Sequence, residues 1–555
     1  MTQEDELVFA PLGGLGEIGM NCALYGFGPA NRRKWLIVDL GVGFAGEDAP
    51  GVDLILPDLR FVESIKKDLV GIVITHAHED HIGALVDLWP RLGARVFLTR
   101  FAAGLLEARR LSEPGAPKIP IEIVAQGAHV KLGPFDVEFI AVAHSIPESC
   151  ALAIRTPAGL MVHSGDWKID ATPLVGAPTD EARLRALGEE GVLALVCDST
   201  NVLREGESPS EADVASSLAT LVGEASGRVV ITTFASNVAR IRAAAEAGIA
   251  NGRQVMVIGR AMERVVAVAR EFGYLGDLPA FVGQDHFERL PRGKILALAT
   301  GSQGEPRAAL SRIAEDDHPV ATLAPGDIVV FSSRTIPGNE KAVGRIINGL
   351  VAQGIEVVTD STRLVHASGH PRRAELTKMY SWLRPMIAVP AHGEAVHLSE
   401  HATFARGQGV GQVVRALNGD LVQLAPGRAA IVGLFDHGRL YKDGEILLPP
   451  GDDCIAQRRR LSFSGVVSIA LALSSKGDLA GDPDVMIAGL PGRTRAGAGM
   501  DEVVDSAIFE TFESLSRGKR RDADAVSTAI ERAVRNAVNG VWGKKPAVHV
   551  LVVEV

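Results

Sequence analysis

The chain is short of cysteine, of aromatic residues, of long apolar runs and of net positive charge. Its four cysteines (Cys22, Cys150, Cys197, Cys454) are scattered through 555 residues. None forms a CxxC pair, so neither a zinc ribbon nor a disulfide framework is expected, and a reducing compartment suits them. No charge-free apolar stretch reaches the roughly 18 residues of a membrane-spanning helix. The opening "MTQEDELVFAPLGG" is acidic and lacks the basic-then-apolar pattern of an export signal. The expected location is therefore cytoplasmic, with no membrane partner. A net charge of −10 excludes coating nucleic acid over the whole surface. Any RNA or DNA binding must rest on a local field, in a groove or at a metal site. With 5% aromatics, extended base-stacking platforms are not expected. Contact with a single strand would rest on its backbone and tolerate many sequences.

What is present is ordinary globular material: 46% hydrophobic and 22% charged residues, enough for a sizeable core. The length suggests about three or four domains. Residues 1–205 read as short strands joined by Gly-rich turns, several ending at an ionisable cluster. From 206 to 365, helical stretches alternate with strands such as "RVVITTFAS" and "DIVVFSS", the rhythm of an α/β unit with a mostly parallel sheet. Residues 366–445 return to the first pattern, so the second unit looks inserted into the first. A linker at 446–455 carries Pro449, Pro450 and Gly451, and 456–555 reads as a small α/β domain.

The chemistry concentrates in "THAHEDHIGA", where His76, His78, Glu79, Asp80 and His81 crowd together after an apolar strand. Alternate strand residues share a face, so His76 and His78 are expected to leave the strand together. Asp80 would take the N-cap position ahead of "HIGALVDLWPRL", with His81 opening that helix. His76 and His78 would hold one ion, and Asp80 and His81 another. Glu79 should point away. Each ion needs further ligands. The candidates are His144 in "AVAHS", Asp166 in "HSGDWKID" and His392 in "VPAHGE", with Asp166 able to bridge. Two divalent ions are expected, zinc first and manganese as the alternative, because the donors are all nitrogen and oxygen. His129, His163, His286 and His549 stand alone and are read as structural or solvated.

HxHxDH, a separate histidine, the aspartate of "SGDWKID" and a late histidine together resemble the metallo-β-lactamase superfamily. Asp39 in "LIVDLGVGF" matches its first motif, either holding a ligand histidine by its free N–H or capping a turn. Within that superfamily, Asp198 in "VCDSTN", His370 in "HASGHPRRAEL" and His392 resemble the three motifs of the β-CASP nucleases, which carry an inserted α/β domain. "APLGGLGEIGMN", "ITTFASNVARI", "ATGSQGEPRAALSRI", "RTIPGNE", "HASGH" and "KKPAVHVLVVEV" are similar to segments of the bacterial ribonuclease J family, across essentially the whole chain. One local departure is Arg334 and Thr335, where that family more often has a small residue and a proline.

The resemblance implies a fold of class α/β: a metallo-β-lactamase αββα sandwich, an inserted β-CASP domain and a C-terminal α/β domain that supports dimer or tetramer assembly. It implies a two-metal ribonuclease hydrolysing phosphodiesters of single-stranded RNA. Its action would be 5′→3′ exonucleolytic, with a preference for 5′-monophosphate ends, and also endonucleolytic, serving RNA maturation and mRNA decay. His370 would be the acid for the leaving 3′-oxygen, oriented by Asp198, or a cation that stabilises the phosphate. His366, Ser368 and Gly369 would bind the 5′-phosphate, unless Ser368 and Gly369 only form a turn. Ser236 and Asn237 are weaker candidates for RNA contact, since "SN" before a helix is also an ordinary cap. The basic runs Arg458–Arg460 and Arg517–Arg521 read as solvated faces or ion pairs sooner than as RNA contacts. A lactonase-like hydrolase of a small molecule, a DNA-processing β-CASP nuclease and a non-catalytic RNA-binding protein are the competing readings.

Overall fold

A computed structural model describes residues 5–46, 48–336 and 338–555. The first four residues and Pro337 of "RTIPGNE" lie outside the described residues. The chain divides into two compact units. One comprises 1–43 and 55–440, the other 44–54 and 441–555.

The larger unit is built on two sheets of eight and seven strands. Their facing sides share one apolar core. Phe9, Tyr25, Leu36, Val38 and Val73 come from the first sheet, and Phe139, Leu152, Met161, Val196 and Val389 from the second. The alternation in "KWLIV" and "LVGIV" supplies this core from every other residue. On its outer side the second sheet packs Ala151, Val162 and Leu195 against Leu184, Met379, Trp382 and Phe404, from the helices Glu181–Glu190, Arg373–Leu383 and Ala395–Gly407. The first half of the unit carries the helices Leu85–Leu92 and Arg100–Ser112.

Residues 229–358 contribute a separate five-stranded sheet in which every pairing is parallel. Strands such as Val229–Thr232 and Ile295–Ala299 are buried at every position, as expected where helices cover both faces of a parallel sheet.

The strand termini position the site. Strands Lys34–Val38 and Leu69–Val73 are parallel neighbours, and Asp39 and the 75–81 segment follow their C-terminal ends. Strands Gly159–His163, Val192–Asp198 and Ile387–Ala391 are also parallel neighbours, and Asp166, Asp198 and His392 lie at or just past their ends. His144 follows Phe135–Ala141. Rigid strands thus aim their loops at one crevice.

The smaller unit holds a three-stranded sheet, Val466–Leu473 between Asp484–Ala488 and Ala547–Glu554. One face packs against helices Met500–Ser514 and Ala523–Trp542 through Val467, Ile469, Val504, Ile508, Ile530 and Val534. Of the basic runs, Arg458 pairs with Asp443, and Arg520 lies 5.0 Å over the Phe512 ring, so neither residue is a free phosphate ligand. Among the described residues no helix is long and apolar enough to cross a membrane.

Candidate metal centre

The 75–81 segment differs from its sequence expectation in one respect. The strand stops at Val73, and the helix after it is only Glu79–Ile82, with His78, not Asp80, as its N-cap residue. Asp80 is the second helical residue, and its carboxylate faces His81 Nε2 at 3.6 Å and His392 Nε2 at 3.4 Å. The helix ends early because its carbonyls are taken from outside. Asp80 O accepts from the N–H of Asn21, and His81 O from that of Leu40, both at 2.8 Å. Ala84 N–H in turn donates to Leu40 O, and a new helix begins at Leu85. The loop comes so close that a Cβ on Gly41 would stand 1.7 Å from Asp80 O. That contact requires the glycine of "DLGVGF".

The seven sequence-predicted ligands, Asp166 among them, converge as two overlapping groups, and a third set joins Asp166 and His392 to Asp198 and His370. His76, His78, His144 and Asp166 form one, and Asp80, His81, Asp166 and His392 the other, with ligand atoms in each within 4.8 Å of one another. Asp166 belongs to both. Glu79 turns away and pairs with Arg109 at 3.2 Å.

The hydrogen bonds assign the tautomers. Asp39 Oδ2 accepts the Nδ1–H of His81 at 2.7 Å, leaving His81 Nε2 as a lone pair aimed at the centre. Asp39 also accepts the N–H and hydroxyl of Thr75, so it both orients a histidine and holds a turn. It does so from a left-handed backbone, φ 64°. The Thr75 hydroxyl, already donating to Asp39, accepts from His76 Nδ1 at 3.0 Å. His144 Nδ1–H donates to Gly369 O at 2.7 Å. His76 Nε2 and His144 Nε2 therefore present lone pairs, and both face His78 Nδ1, at 3.1 and 3.0 Å. One proton on His78 cannot satisfy both, whereas a cation satisfies all three. His392 Nδ1 lies 2.9 Å from Asp166 Oδ1 and its Nε2 3.4 Å from Asp80 Oδ2, close contacts that lack hydrogen-bond geometry and leave these buried atoms open to a cation. The donor set thus fits divalent cations, with backing from Asp39, Thr75 and Gly369 of the kind that fixes metal-ligating histidines.

Electrostatics agree. Burial, reinforced by neighbouring imidazoles, holds His76, His78 and His144 below the usual imidazole range, His78 at about 4, so they are neutral donors. Burial also opposes charge on His81 and His392. There the carboxylates of Asp166 and Asp80 prevail and raise both, His392 to about 10. The carboxylates draw positive charge to the centre.

Asp198 and His370 stand beside this cluster. His370 Nδ1 donates to Asp198 Oδ2 at 2.7 Å and lies 3.9 Å from Asp166 Oδ2. Burial works against protonation of His370, but Asp198 and Asp166 outweigh it and lift its pKa. Ser368 Oγ accepts from Asn201 Nδ2 at 2.8 Å. Gly369 is needed for close approach, because a Cβ there would sit 2.5 Å from the His144 ring. Gly369→Ala is expected to push His144 out of line and lower metal affinity about 10–100-fold, the range for losing a partner behind a ligand. Metal titration of the purified variant checks this. His366 is half-buried, its buried Nδ1 has no hydrogen-bond partner, and burial together with Arg240 and Arg334 takes it down to about 3.

Asn237 Oδ1 caps helix Val238–Ala250 by accepting from Arg240 N–H at 2.9 Å, the ordinary use of "SN" before a helix, and Ser236 beside it is half-buried. His163 bonds the Tyr25 hydroxyl at 2.8 Å, outside both ligand groups.

Sequence reasoning missed several residues. Asn21 places its amide 3.0 Å from His81 Nε2 and 3.1 Å from Asp80 O. It sits in the "GMN" already singled out, so position within a motif was the available signal. A buried ionic chain also escaped notice. Lys168 pairs with Asp170 and Glu211. Glu211 pairs with Arg240, which donates to Ser332 and to Val365 O at the start of the 366–370 loop. Nothing in the local sequence marks these four as neighbours.

Comparison with known proteins agrees with this geometry along the chain. Family models match at residues 17–179 (metallo-beta-lactamase superfamily), 226–350 (ribonuclease J, beta-CASP domain), 354–414 (Zn-dependent metallo-hydrolase RNA specificity domain) and 453–555 (ribonuclease J C-terminal domain). A ribonuclease J of Sinorhizobium meliloti is 52% identical, covering 100% of this chain and 98% of the relative. Ribonuclease J of Mycolicibacterium smegmatis is 39% identical, over 98% of this chain and 96% of the relative. Among solved structures, a protein of unknown function from Enterococcus faecalis superposes with TM-score 0.53 at 15% identity. It covers 75% of this chain and 100% of its own, a likeness of fold alone.

Proposed function

Because the chain belongs to the ribonuclease J family, and is therefore a metal-dependent hydrolytic ribonuclease, we propose that it degrades single-stranded RNA from the 5′ end, prefers a 5′-monophosphate, and also cuts internally. The observation that carries this reading is the 366–370 loop. It touches the metal cluster twice, through Gly369 O on His144 and through His370 beside Asp166 and Asp198. The N–H groups of Ser368 and Gly369 meet no acceptor among the described residues, so they are free to hold a terminal phosphate. A 5′ end held there would bring a nearby phosphodiester to the metal ligands.

His76, His78 and His144 would hold one divalent ion, Asp80, His81 and His392 the other, and Asp166 both. The nitrogen-rich first group suits zinc, with manganese the alternative. When bound, such a pair supplies a nucleophile near neutral pH and neutralises charge on the phosphate. The chain's own residues do the rest. Asp39 and Gly369 O fix the ring orientations of His81 and His144. Asp198 holds His370 by Nδ1 and favours its charged form, and His370 delivers a proton to the leaving 3′-oxygen. Reduced cysteines are in keeping with action in the cytoplasm on maturing RNA and mRNA. The uncovered face of the C-terminal sheet, with Met486, Leu551 and Val553 exposed, supports assembly as a dimer or tetramer. Sedimentation of the full chain would show a single-chain mass if that is wrong.

The decisive assay offers the metal-loaded protein one RNA sequence with a 5′-monophosphate, a 5′-triphosphate or a 5′-hydroxyl, and the matching single-stranded DNA. Processive release of nucleotides from the monophosphate RNA, at least about tenfold faster than from the triphosphate, is expected if one charge-assisted phosphate contact discriminates between them. Equal rates on all RNA ends would remove the 5′-phosphate preference and leave an unselective nuclease. Preferential cleavage of the DNA would favour a DNA-processing role.

A further inference from the structure

Arginines near the 366–370 loop mostly answer carboxylates. Arg240 pairs with Glu211 at 2.9 Å, Arg373 with Glu400 at 2.7 Å, and Arg363 with Glu224 at 2.7 Å. Three do not. Among the described residues, Arg204 and Arg372 make no ion pair, and Arg334 approaches only Asp360, at 3.7 Å, beyond hydrogen-bond length.

These three belong to one neighbourhood. Arg372 is two residues beyond His370. The carbonyl of Arg204 accepts from Arg373 N–H at 3.0 Å, and that of Gly206 from Ala374 N–H at 3.1 Å, so the 204–206 turn lies along the chain that carries Arg372. Arg334 follows Ser332 and Ser333, and the Ser332 hydroxyl donates to Val365 O at 2.6 Å. Arg334 is partly buried, and burial first, then Arg204 and Arg372, oppose its charge. One polar nitrogen in the same region has no acceptor, the buried Nε of Arg372.

An arginine cannot shed its proton to relieve such crowding. Repelling guanidinium groups cost free energy where they are partly withdrawn from water, as Arg334 and Arg372 are beside the exposed Arg204, in a protein whose net charge of −10 leaves many carboxylates elsewhere. An anion placed among them offsets the cost, and the planar fork of arginine matches a phosphate. We propose that Arg204, Arg334 and Arg372 form a phosphate-binding subsite for the RNA strand, distinct from the metal ligands and from the 366–370 loop. The inference rests on the ribonuclease reading and adds where the strand is gripped. Arg334, the local departure noted in the sequence, becomes a contributor to substrate affinity.

The test is binding of short, hydrolysis-resistant phosphorothioate RNA to the metal-loaded protein across a range of salt, with 5′-monophosphate and 5′-hydroxyl ends. Arg204→Gln, Arg334→Gln and Arg372→Gln are each expected to raise Kd about tenfold. Each should also lower the slope of log K against log salt by about 0.7, the increment for one phosphate contact on a single strand. Lysine at the same positions should restore the slope, which a fold defect would not allow. Arg495→Gln, exposed in the other compact unit, should leave the slope unchanged. Equal losses on both RNAs assign the subsite to an internal phosphodiester, and losses confined to the monophosphate RNA assign it to the terminal phosphate. Folded glutamine variants that keep wild-type affinity and slope overturn the proposal while leaving the nuclease intact. A wild type that ignores RNA altogether overturns the reading beneath it.

Discussion

Asp166→Ala is expected to release both metal ions and to reduce RNA cleavage by at least about four orders of magnitude. Without the metals, the site loses what would lower the pKa of a water far enough to supply a nucleophile near neutral pH. The expectation follows from position. Among the described residues Asp166 alone is shared by the two ligand groups, and its Oδ2 lies 3.8, 3.3 and 3.7 Å from nitrogens of His76, His81 and His144, with Oδ1 2.9 Å from His392 Nδ1. Removing it leaves His76, His78 and His144 facing each other with no carboxylate in their group. Asp80→Ala takes a ligand from one group only, so it should lose one equivalent of metal together with activity. Metal content measured on the two purified variants separates the cases. An Asp166→Ala protein that retained two equivalents would refute the shared role.

His370→Ala is expected to behave differently. It should keep both metals and the fold, yet lose about 10²–10⁴-fold in single-turnover cleavage, the range for a lost general acid. His370 is outside both metal-ligand groups proposed here and is tied instead to Asp198 at 2.7 Å. Asp198→Asn should reproduce part of that loss, because the amide no longer supplies the charge that favours the imidazolium. RNA whose 5′-phosphate carries a nitrophenyl ester, so that nitrophenolate replaces the 3′-oxygen as a leaving group needing no proton, would restore much of the rate in His370→Ala. Failure of that rescue, with metal retained, would leave phosphate stabilisation as the role of His370.

Much of the centre was legible along the chain. The density of "THAHEDH" has no packing explanation, and the separate strand-end residues His144, Asp166 and His392 each follow an apolar strand. The departures have local physical causes. Asp80 was expected as a cap because short acidic residues before apolar runs usually are. Here His78 takes that place, since the N–H groups of Asn21, Leu40 and Val42 claim the helix carbonyls and the Asp80 carboxylate turns toward His81 and His392. Gly369 was read as part of a turn or an anion nest. Its closest constraint is the His144 ring, more than two hundred residues away in sequence.

By itself the sequence singled out the residues that the structure gathers into one cluster, showed that their donor atoms are nitrogen and oxygen without sulfur, and indicated that an α/β insertion separates two parts of one scaffold. Those properties are local: they depend on residue type, spacing and the periods of strand and helix. The tertiary structure alone decided the partnerships. It made Asp166 common to both ligand groups, set Asp39 behind His81 and Gly369 behind His144, linked Lys168 through Glu211 and Arg240 to the loop at 365, and gathered Arg204, Arg334 and Arg372 into one neighbourhood. Each joins residues far apart in sequence, through hydrogen bonds and charges whose strength depends on distance and on exclusion of water. Neither distance nor burial is written in the order of the residues.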